Sequence, residues 1–248
     1  MNLKKFNLLI ILTVAVMLSA CQVEHKKYTY VEQNTETQQV VNNNKNGKSI
    51  EDKYINSDNC DQIIDKVYFK VCYDYNLKAA KSVAYTLEGD LVDEGNIEVR
   101  PRFYAESVID TPYRAEDNDY KYSGYDRGHL APDAAFDWSQ ESLEATYSLA
   151  NIIPQDSDVN QHQWVKAEEH ARKEAKILNE IHVINIVVYS ENPKRIGSDK
   201  IAVSKGYYKV MYNSDKNYKE CFYYENNASL NSSTLNGNKV DCKEALDI

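Results

Sequence analysis

Short apolar and aromatic runs separated by polar turns recur along most of the chain, and this pattern is typical of a β-rich domain. The run 181–189 is apolar at nearly every position, so it predicts a strand at the centre of a sheet. Glu-Gly-Asp at 88–90 is a turn signal, and the flanking runs 82–87 and 91–92 predict a hairpin. The same pattern predicts further strands at 67–73, 201–203, 207–212 and 220–224, and a short helix within 139–149.

The longest predicted helix spans residues 158–180, after three candidate N-cap residues at 156–158. Asn160, Trp164 and Glu168 recur every four residues, so they lie along one flank of that helix. Strands near both ends of the chain, arranged around one long helix, predict an α+β fold.

The first 20 residues have the features of a secretory signal, because Lys4 and Lys5 precede a short apolar run that ends in small residues. That run is too short for a stable membrane span. Residues 18–21, Leu-Ser-Ala-Cys, resemble a bacterial lipobox, which implies cleavage before Cys21 and attachment of lipid to it. A plain signal peptide with cleavage nearby is the alternative.

Composition divides the chain into three segments. Residues 1–20 are predicted to be a lipoprotein signal peptide. Residues 21–57 are rich in Gln, Asn, Thr and Lys and predict a lipidated flexible tether, because little in them could form a core. Residues 58–248 are of a size for one domain. The protein is therefore expected to be exported and membrane-anchored, in the periplasm or on the cell surface.

The charge of the chain is unexpected for a protein that would bind phosphate. Removal of residues 1–20 takes away two lysines and no acids, which lowers the formal net charge from −9 to −11. Contacts to nucleic-acid phosphates require Lys and Arg, but a local cationic cleft is enough for them. The sequence therefore predicts a small cationic site on an acidic protein.

Four cysteines follow Cys21, and an even number in an exported chain indicates disulfides. We expect Cys60 to pair with Cys72 and Cys221 with Cys242, because each pairing closes a short loop. Each bridge would stabilise the fold by about 3 kcal/mol in the loop-entropy account. A zinc site of four thiolates is the alternative, although no C-x-x-C spacing supports it.

The most informative stretch for chemistry is Asp-Arg-Gly-His at 126–129. A single histidine is more often structural than catalytic, but the neighbours of His129 favour a chemical role. Gly128 permits close backbone approach or a positive φ, and Arg127 is a fixed cation suited to phosphate.

Taken together, several motifs resemble the DNA/RNA non-specific endonuclease family. They are the tetrapeptide at 126–129, Asn151 followed by Pro154-Gln155, and the series Asn160, Trp164 and Glu168. The resemblance extends from about residue 68 to residue 208. Members of this family are ββα-metal (His-Me finger) enzymes, which include secreted sugar-non-specific nucleases and mitochondrial endonuclease G. The resemblance implies a central, mostly antiparallel sheet with one long helix that carries a metal ligand.

The resemblance also implies a role for each motif residue. His129 would be the general base that activates water, in a hydrolysis of DNA and RNA with little sequence preference. Asn160 would be the one direct protein ligand of a single Mg²⁺, for which Mn²⁺ can substitute, with water in the other positions. Mg²⁺ gives up its waters reluctantly, which suits such a site. Glu168 would orient those waters.

The remaining site residues have assigned roles with alternatives. Arg127 would lie near the phosphate; pairing with Asp126 is the alternative. Asp126 is expected to orient its neighbours rather than act as an acid, and Asn151 to brace the site by hydrogen bonds. Arg102 resembles the upstream arginine of the family that stabilises transition-state charge, and Arg100 remains open as the alternative.

Two simpler interpretations also remain. Asn160 would be an ordinary residue at the start of a helix, and Glu168 a solvated helix position, if the resemblance were misleading. A separate alternative, with the resemblance intact, is that the whole chain is a catalytically inactive nucleic-acid-binding or structural lipoprotein on the nuclease scaffold.

Overall fold

A seven-stranded antiparallel sheet forms the centre of the computed structural model, which describes residues 49–92, 94–95 and 97–247. The helices and strands are α1 (Ile50–Tyr54), β1 (Gln62–Asp65), β2 (Phe69–Asp74), β3 (Ala79–Glu88), β4 (Asp126–His129), α2 (Gln140–Thr146), β5 (Ile152–Gln155), α3 (Val165–Leu178), β6 (Glu180–Val188), β7 (Arg195–Ile196), β8 (Ile201–Ala202), β9 (Gly206–Asn213), β10 (Tyr218–Glu225), β11 (Lys239–Val240) and α4 (Cys242–Leu246). The sheet has the order β1-β2-β3-β6-β9-β10-β11. This architecture confirms the α+β prediction.

Strand β6 lies in the middle of the sheet, between β3 and β9, as its apolar sequence predicts. The strand predicted at 67–73 begins two residues later, because residues 66–69 form a turn. In that turn Val67 has a φ of 69° and the Lys66 N–H donates to the Phe69 carbonyl at 2.9 Å. Strand β1, on the other side of this turn, was missed by the sequence pattern.

The predicted hairpin of 82–87 with 91–92 is wrong. Strand β3 is paired with β2 on one edge and β6 on the other, so no edge remains for residues 91–92. The chain turns instead toward α3, where the Gly89 N–H donates to the Asn179 carbonyl at 2.7 Å. A Cβ on Gly89 would lie 2.5 Å from the Ala175 carbonyl oxygen, so this close approach requires glycine.

The predicted helix 158–180 consists of a π-helical segment, Val159–Trp164, followed by α3. The Asp156 carboxylate accepts hydrogen bonds from the N–H groups of residues 158 and 159, which caps the segment. Helix α3 buries a face of alanines, which pack toward the sheet, and ends at Asn179 in the left-handed conformation. π-Helical turns are often found at functional sites, and Asn160 lies in this one.

Two antiparallel strands, β4 and β5, stand apart from the main sheet and run into the π-helical segment and α3. This ribbon followed by a helix is the ββα element that the resemblance implies. It brings the 126–129 tetrapeptide opposite residues 152–155.

Both predicted disulfides are confirmed. Cys60 is bonded to Cys72, and Cys221 to Cys242. The second bridge ties α4 to β10, and the first joins the chain before β1 to the buried strand β2.

The folded part of the chain includes residues before 58, because Tyr54 and Ile55 are buried. Cys21, the signal peptide and residues 21–48 of the predicted tether lie outside the described residues. Within residues 49–247, the helices are too short or too polar to cross a bilayer.

Candidate active site

His129 ends strand β4 and is half-buried between two aromatic rings. Its ring centroid lies 5.5 Å from that of Phe103 and 4.9 Å from that of Tyr147. The pKa of His129 is lowered to about 4, chiefly by burial; Asp133 opposes this shift and the Arg100 guanidinium adds to it. The imidazole is therefore neutral at pH 7. Its Nε2 atom is buried and has no hydrogen-bond partner among the described residues, so it is free to take a proton.

Asn151 holds the backbone that follows His129. Its Oδ1 accepts a hydrogen bond from the Ala131 N–H at 2.8 Å, and its Nδ2 donates to the Ala131 and Thr146 carbonyls, both at 2.9 Å. The Leu130 N–H donates to the Asn151 carbonyl at 3.0 Å. Asn151 is fully buried, and these contacts support the predicted role as a brace.

Asp126 is the centre of a polar cluster at the start of β4. Its carboxylate accepts hydrogen bonds from Ser157 Oγ at 2.8 Å, Asn160 Nδ2 at 3.1 Å and Gln161 Nε2 at 2.8 Å. Partial burial raises the pKa of Asp126, but the hydrogen bonds outweigh that effect and hold the pKa below its ordinary value. Asp126 is thus an ionised acceptor that orients its neighbours, as expected from the sequence.

The contact with Asp126 determines which atom Asn160 presents elsewhere. A carboxylate can only accept, so the amide nitrogen of Asn160 must face Asp126 and the carbonyl oxygen Oδ1 is left for another partner. A neutral carbonyl oxygen is a hard ligand that suits Mg²⁺. Among residues 49–92, 94–95 and 97–247, no group of three or more His, Cys, Asp or Glu side chains is placed so that it could bind a metal. The donor set therefore fits a metal held mainly by water, with Asn160 as the protein ligand.

Glu168 lies within α3, where burial and two nearby cations act on its pKa in opposite directions. The pKa of Glu168 is raised to about 7, because the effect of burial outweighs the lowering by Lys209 and Arg172. Lys209 is fully buried on β9. Its Nζ donates to Asn185 Oδ1 at 3.0 Å and lies 4.2 Å from the centre of the Trp164 ring.

Trp164 is a packing residue, as predicted. Its ring is almost fully buried and meets the rings of Tyr207 and Tyr224 edge-on, at 4.7 and 5.5 Å.

Arg127 is paired with Asp117, not with Asp126. Its Nε donates to Asp117 Oδ1 at 2.7 Å and its Nη2 to the Asp117 carbonyl at 2.8 Å. The guanidinium carbon also lies 5.6 Å from the Phe103 ring centre and 5.4 Å from that of Tyr120. Arg127 and His129 alternate with Gly128 along β4, so they lie on one face of the ribbon and share Phe103 as a neighbour.

Gly128 provides close approach rather than a positive φ, since its φ is not positive. A Cβ at this position would lie 1.8 Å from Gln155 Oε1. Any other residue would push the Gln155 side chain out of the space beneath the ribbon.

Of the two upstream arginines, Arg100 lies beside His129. Its Nη2 is 3.2 Å from Asp137 Oδ2 and its Nε is 3.6 Å from Asp133 Oδ2. Tyr147 donates to the same Asp133 oxygen at 2.8 Å. Arg102 is exposed, and within the described ranges its side chain forms no ion pair. Whether Arg102 contacts substrate stays a prediction.

Sequence reasoning missed several residues around the site, namely Asp117, Asp133, Tyr147 and Lys209. A lysine within an otherwise apolar and aromatic strand was the one local signal for Lys209. Asp117 occurs in a polar segment, and nothing in the local sequence distinguishes it, Asp133 or Tyr147 from their neighbours.

Comparison with known families agrees with this geometry. The family model described as DNA/RNA non-specific endonuclease matches residues 46–245. Mitochondrial endonuclease G of Bos taurus is 27% identical over 161 residues, which cover 60% of this chain and 54% of the relative. Mitochondrial nuclease EXOG of Xenopus laevis is 30% identical over 125 residues, which cover 46% of this chain and 35% of the relative. The chain thus spans about half or less of the length of these relatives.

A solved structure shows the same fold. A chain in the crystal structure of the EndoG/EndoGI complex superposes with a TM-score of 0.67 at 22% sequence identity. The match covers 74% of this chain and 81% of that chain.

Proposed function

Because the chain belongs to the DNA/RNA non-specific endonuclease family, we propose that it hydrolyses phosphodiester bonds of DNA and RNA with little sequence preference. The observation that carries this proposal is the neutral His129 with an unpartnered Nε2, on the same strand face as Arg127. A general base must be unprotonated at the working pH and free to accept a proton, and His129 meets both conditions.

In the proposed reaction, His129 Nε2 takes a proton from a water molecule as the water oxygen bonds to phosphorus. The ester bond to the leaving oxygen then breaks, and that oxygen takes up a proton from solvent. Arg127 is expected to stabilise the negative charge that develops on the phosphate oxygens. Its contact with Asp117 fixes the direction of the guanidinium before substrate arrives.

A divalent cation, Mg²⁺ or Mn²⁺, would supply Lewis-acid stabilisation of the phosphate and the leaving oxygen. Asn160 Oδ1 would bind it directly, and Glu168 would accept hydrogen bonds from its waters. Asp126 would orient Asn160 for metal binding, because its carboxylate accepts a hydrogen bond from the amide nitrogen of Asn160.

The direct test is plasmid nicking with Mg²⁺, with EDTA, and with the variant His129→Ala. Loss of a general base typically costs about 10²- to 10⁴-fold in rate, and DNA binding should be nearly unchanged. His162→Ala is the matched control, since His162 is an exposed histidine in the same protein. No cleavage by the parent under any metal condition would favour the alternative, an inactive binding lipoprotein.

We also propose that the protein is exported and anchored to a membrane by lipid on Cys21. The support is the lipobox-like sequence at 18–21 and the two disulfides, which are typical of an oxidising compartment. Cys21→Ser should release the protein from the membrane fraction or leave it unprocessed. A variant that fractionates and migrates like the parent would show that the lipobox assignment is wrong.

A further inference from the structure

Residues 121–125, here called the tyrosine loop, precede strand β4 directly and carry two tyrosines and Lys121, with Lys194 of a distant segment beside Tyr125. The Tyr122 side chain is 95% exposed, which is the largest exposure among the large hydrophobic residues of the described chain. Lys121 Nζ lies 5.3 Å from the Tyr122 ring centre, and Lys194 Nζ lies 4.8 Å from that of Tyr125. Each of the two tyrosines in the loop therefore has a lysine ammonium group near its ring.

The backbone holds Tyr122 outward in an uncommon conformation. Its φ is 59°, in the left-handed region that bulky residues rarely adopt. The turn around it is fixed, because the Ser123 N–H donates to the Tyr120 carbonyl at 3.2 Å and the Tyr125 N–H to Ser123 Oγ at 3.1 Å. A bulky side chain that is held in a left-handed turn and fully exposed to solvent indicates a binding role.

The tyrosine loop is next to the proposed phosphate contact. The Arg127 guanidinium packs on Tyr120, the residue just before the loop. Arg127 is five positions after Tyr122, so even a fully extended chain keeps their Cα atoms within about 18 Å. A strand of nucleic acid with a phosphate at Arg127 therefore passes within reach of the Tyr122 ring.

The charges around the loop suit a polyanion. Lys121 and Lys194 are exposed. The nearby acids are engaged: Asp117 with Arg127, and Asp119 with the Ser198 hydroxyl and the Asp199 N–H. The charge of Arg127 thus offsets that of Asp117, and Asp119 is buried away from this surface.

We propose that the tyrosine loop is a stacking site for an unpaired nucleobase of single-stranded DNA or RNA, with Tyr122 as the stacking residue. Any base can stack on an aromatic ring, so the site would favour unpaired segments without selecting a sequence. Bases in a duplex are stacked on one another and cannot use it. This inference rests on the proposed function, because it names the form of substrate that the same active site would take.

The experiment measures binding of a single-stranded oligonucleotide that contains 2-aminopurine, whose fluorescence falls when the base stacks. EDTA in the buffer prevents cleavage. Tyr122→Ala should weaken binding by roughly five-fold or more, which corresponds to the lower end of the stacking free energy of one base on one aromatic ring. It should also abolish most of the fluorescence quenching. Tyr122→Phe should match the parent, because it keeps the ring.

Two controls separate stacking from other effects. Val67→Ala removes another exposed side chain, 81% exposed at a φ of 69°, and should bind like the parent. Affinity for a duplex oligonucleotide of the same length should be equal for Tyr122→Ala and the parent.

The outcomes distinguish this inference from the proposed function. If the parent nicks plasmid but Tyr122→Ala binds and quenches the single strand like the parent, the stacking site is wrong and the nuclease assignment stands. If the parent neither cleaves nor binds nucleic acid, both fail. If Tyr122→Ala converts an oligomeric parent to a monomer in light scattering and leaves nucleic-acid binding unchanged, the loop is a protein interface and the proposal is overturned.

Discussion

The amide nitrogen of Asn160 donates a hydrogen bond to the Asp126 carboxylate at 3.1 Å, which links the start of the β4 strand to the π-helical segment before α3. Because the carboxylate can only accept, this bond sets the orientation of the amide and leaves Oδ1 as its outward atom. The aspartate of the 126–129 tetrapeptide would thus act on the proposed metal site through a neighbour, because it orients Asn160.

This geometry predicts different effects for two adjacent amides. Asn160→Ala should weaken the apparent affinity for Mg²⁺ in the nicking assay, because it removes the direct protein ligand, and added Mg²⁺ should restore part of the activity. Gln161→Ala is the matched control, since Gln161 donates to the same Asp126 oxygen at 2.8 Å but is not expected to bind the metal. Equal Mg²⁺ dependence for the two variants would contradict the assignment of Asn160.

Asn151 is expected to affect stability as well as activity. Asn151→Ala removes three side-chain hydrogen bonds in a fully buried place and leaves their partners unsatisfied. The free energy of unfolding should fall by about 2–4 kcal/mol, as measured by denaturant titration with the disulfides intact. Asn118→Ala, at an exposed position, should change it little. A loss of activity in Asn151→Ala without loss of stability would point to direct contact with substrate instead.

The buried Lys209 should control the charge of Glu168. The pKa of Glu168 is raised to about 7 by burial even with Lys209 present, and Lys209 is the larger of the two cationic influences that lower it. In Lys209→Met the pKa of Glu168 should rise further, so more of the carboxyl is protonated at pH 7. Mg²⁺ affinity should then fall at pH 7 and recover as the pH is raised, whereas Lys166→Met, on the exposed side of α3, should behave like the parent. A variant that keeps its fold by circular dichroism but shows no shift in the pH dependence would refute this.

The low pKa of His129 predicts a pH-dependent contribution to stability. Its pKa is about 4 in the folded protein, against 6.5 for an unperturbed histidine. Between these values the unfolded chain binds the proton first, so the contribution is complete above pH 6.5 and is lost as the pH falls toward 4. The loss amounts to about 3 kcal/mol at most.

The test compares the parent with His129→Gln, which cannot titrate at this position. The difference in free energy of unfolding between them should shrink from pH 7 to pH 4. The comparison is needed because Glu168, whose pKa is raised, contributes with the opposite sign over an overlapping range. A difference that stays constant with pH would mean that His129 is not buried as described.

Much of this protein could be predicted from local sequence. Apolar and aromatic runs predict the strands β6, β9 and β10. Such runs are buried in the folded protein whichever strands they pair with. The two disulfides join cysteines that are close in the chain, where loop closure favours pairing. The tetrapeptide at 126–129 and the spaced Asn160 and Glu168 are recognisable because strand and helix geometry relate them over short distances.

Only the tertiary structure decided which distant residues meet. The predicted hairpin does not form because β2 and β6 pair with both edges of strand β3. The order of strands in the sheet cannot be predicted from the sequence of any one strand. Lys209 contacts Trp164 and influences the pKa of Glu168 because β9 packs against the helical segment. The neutral state of His129 likewise depends on burial by Phe103 and Tyr147. Which arginine lies near His129 depends on the loop that carries Asp133, because Arg100 is paired with Asp133. Burial and charge at a site depend on everything packed around it, and packing is a property of the folded chain as a whole.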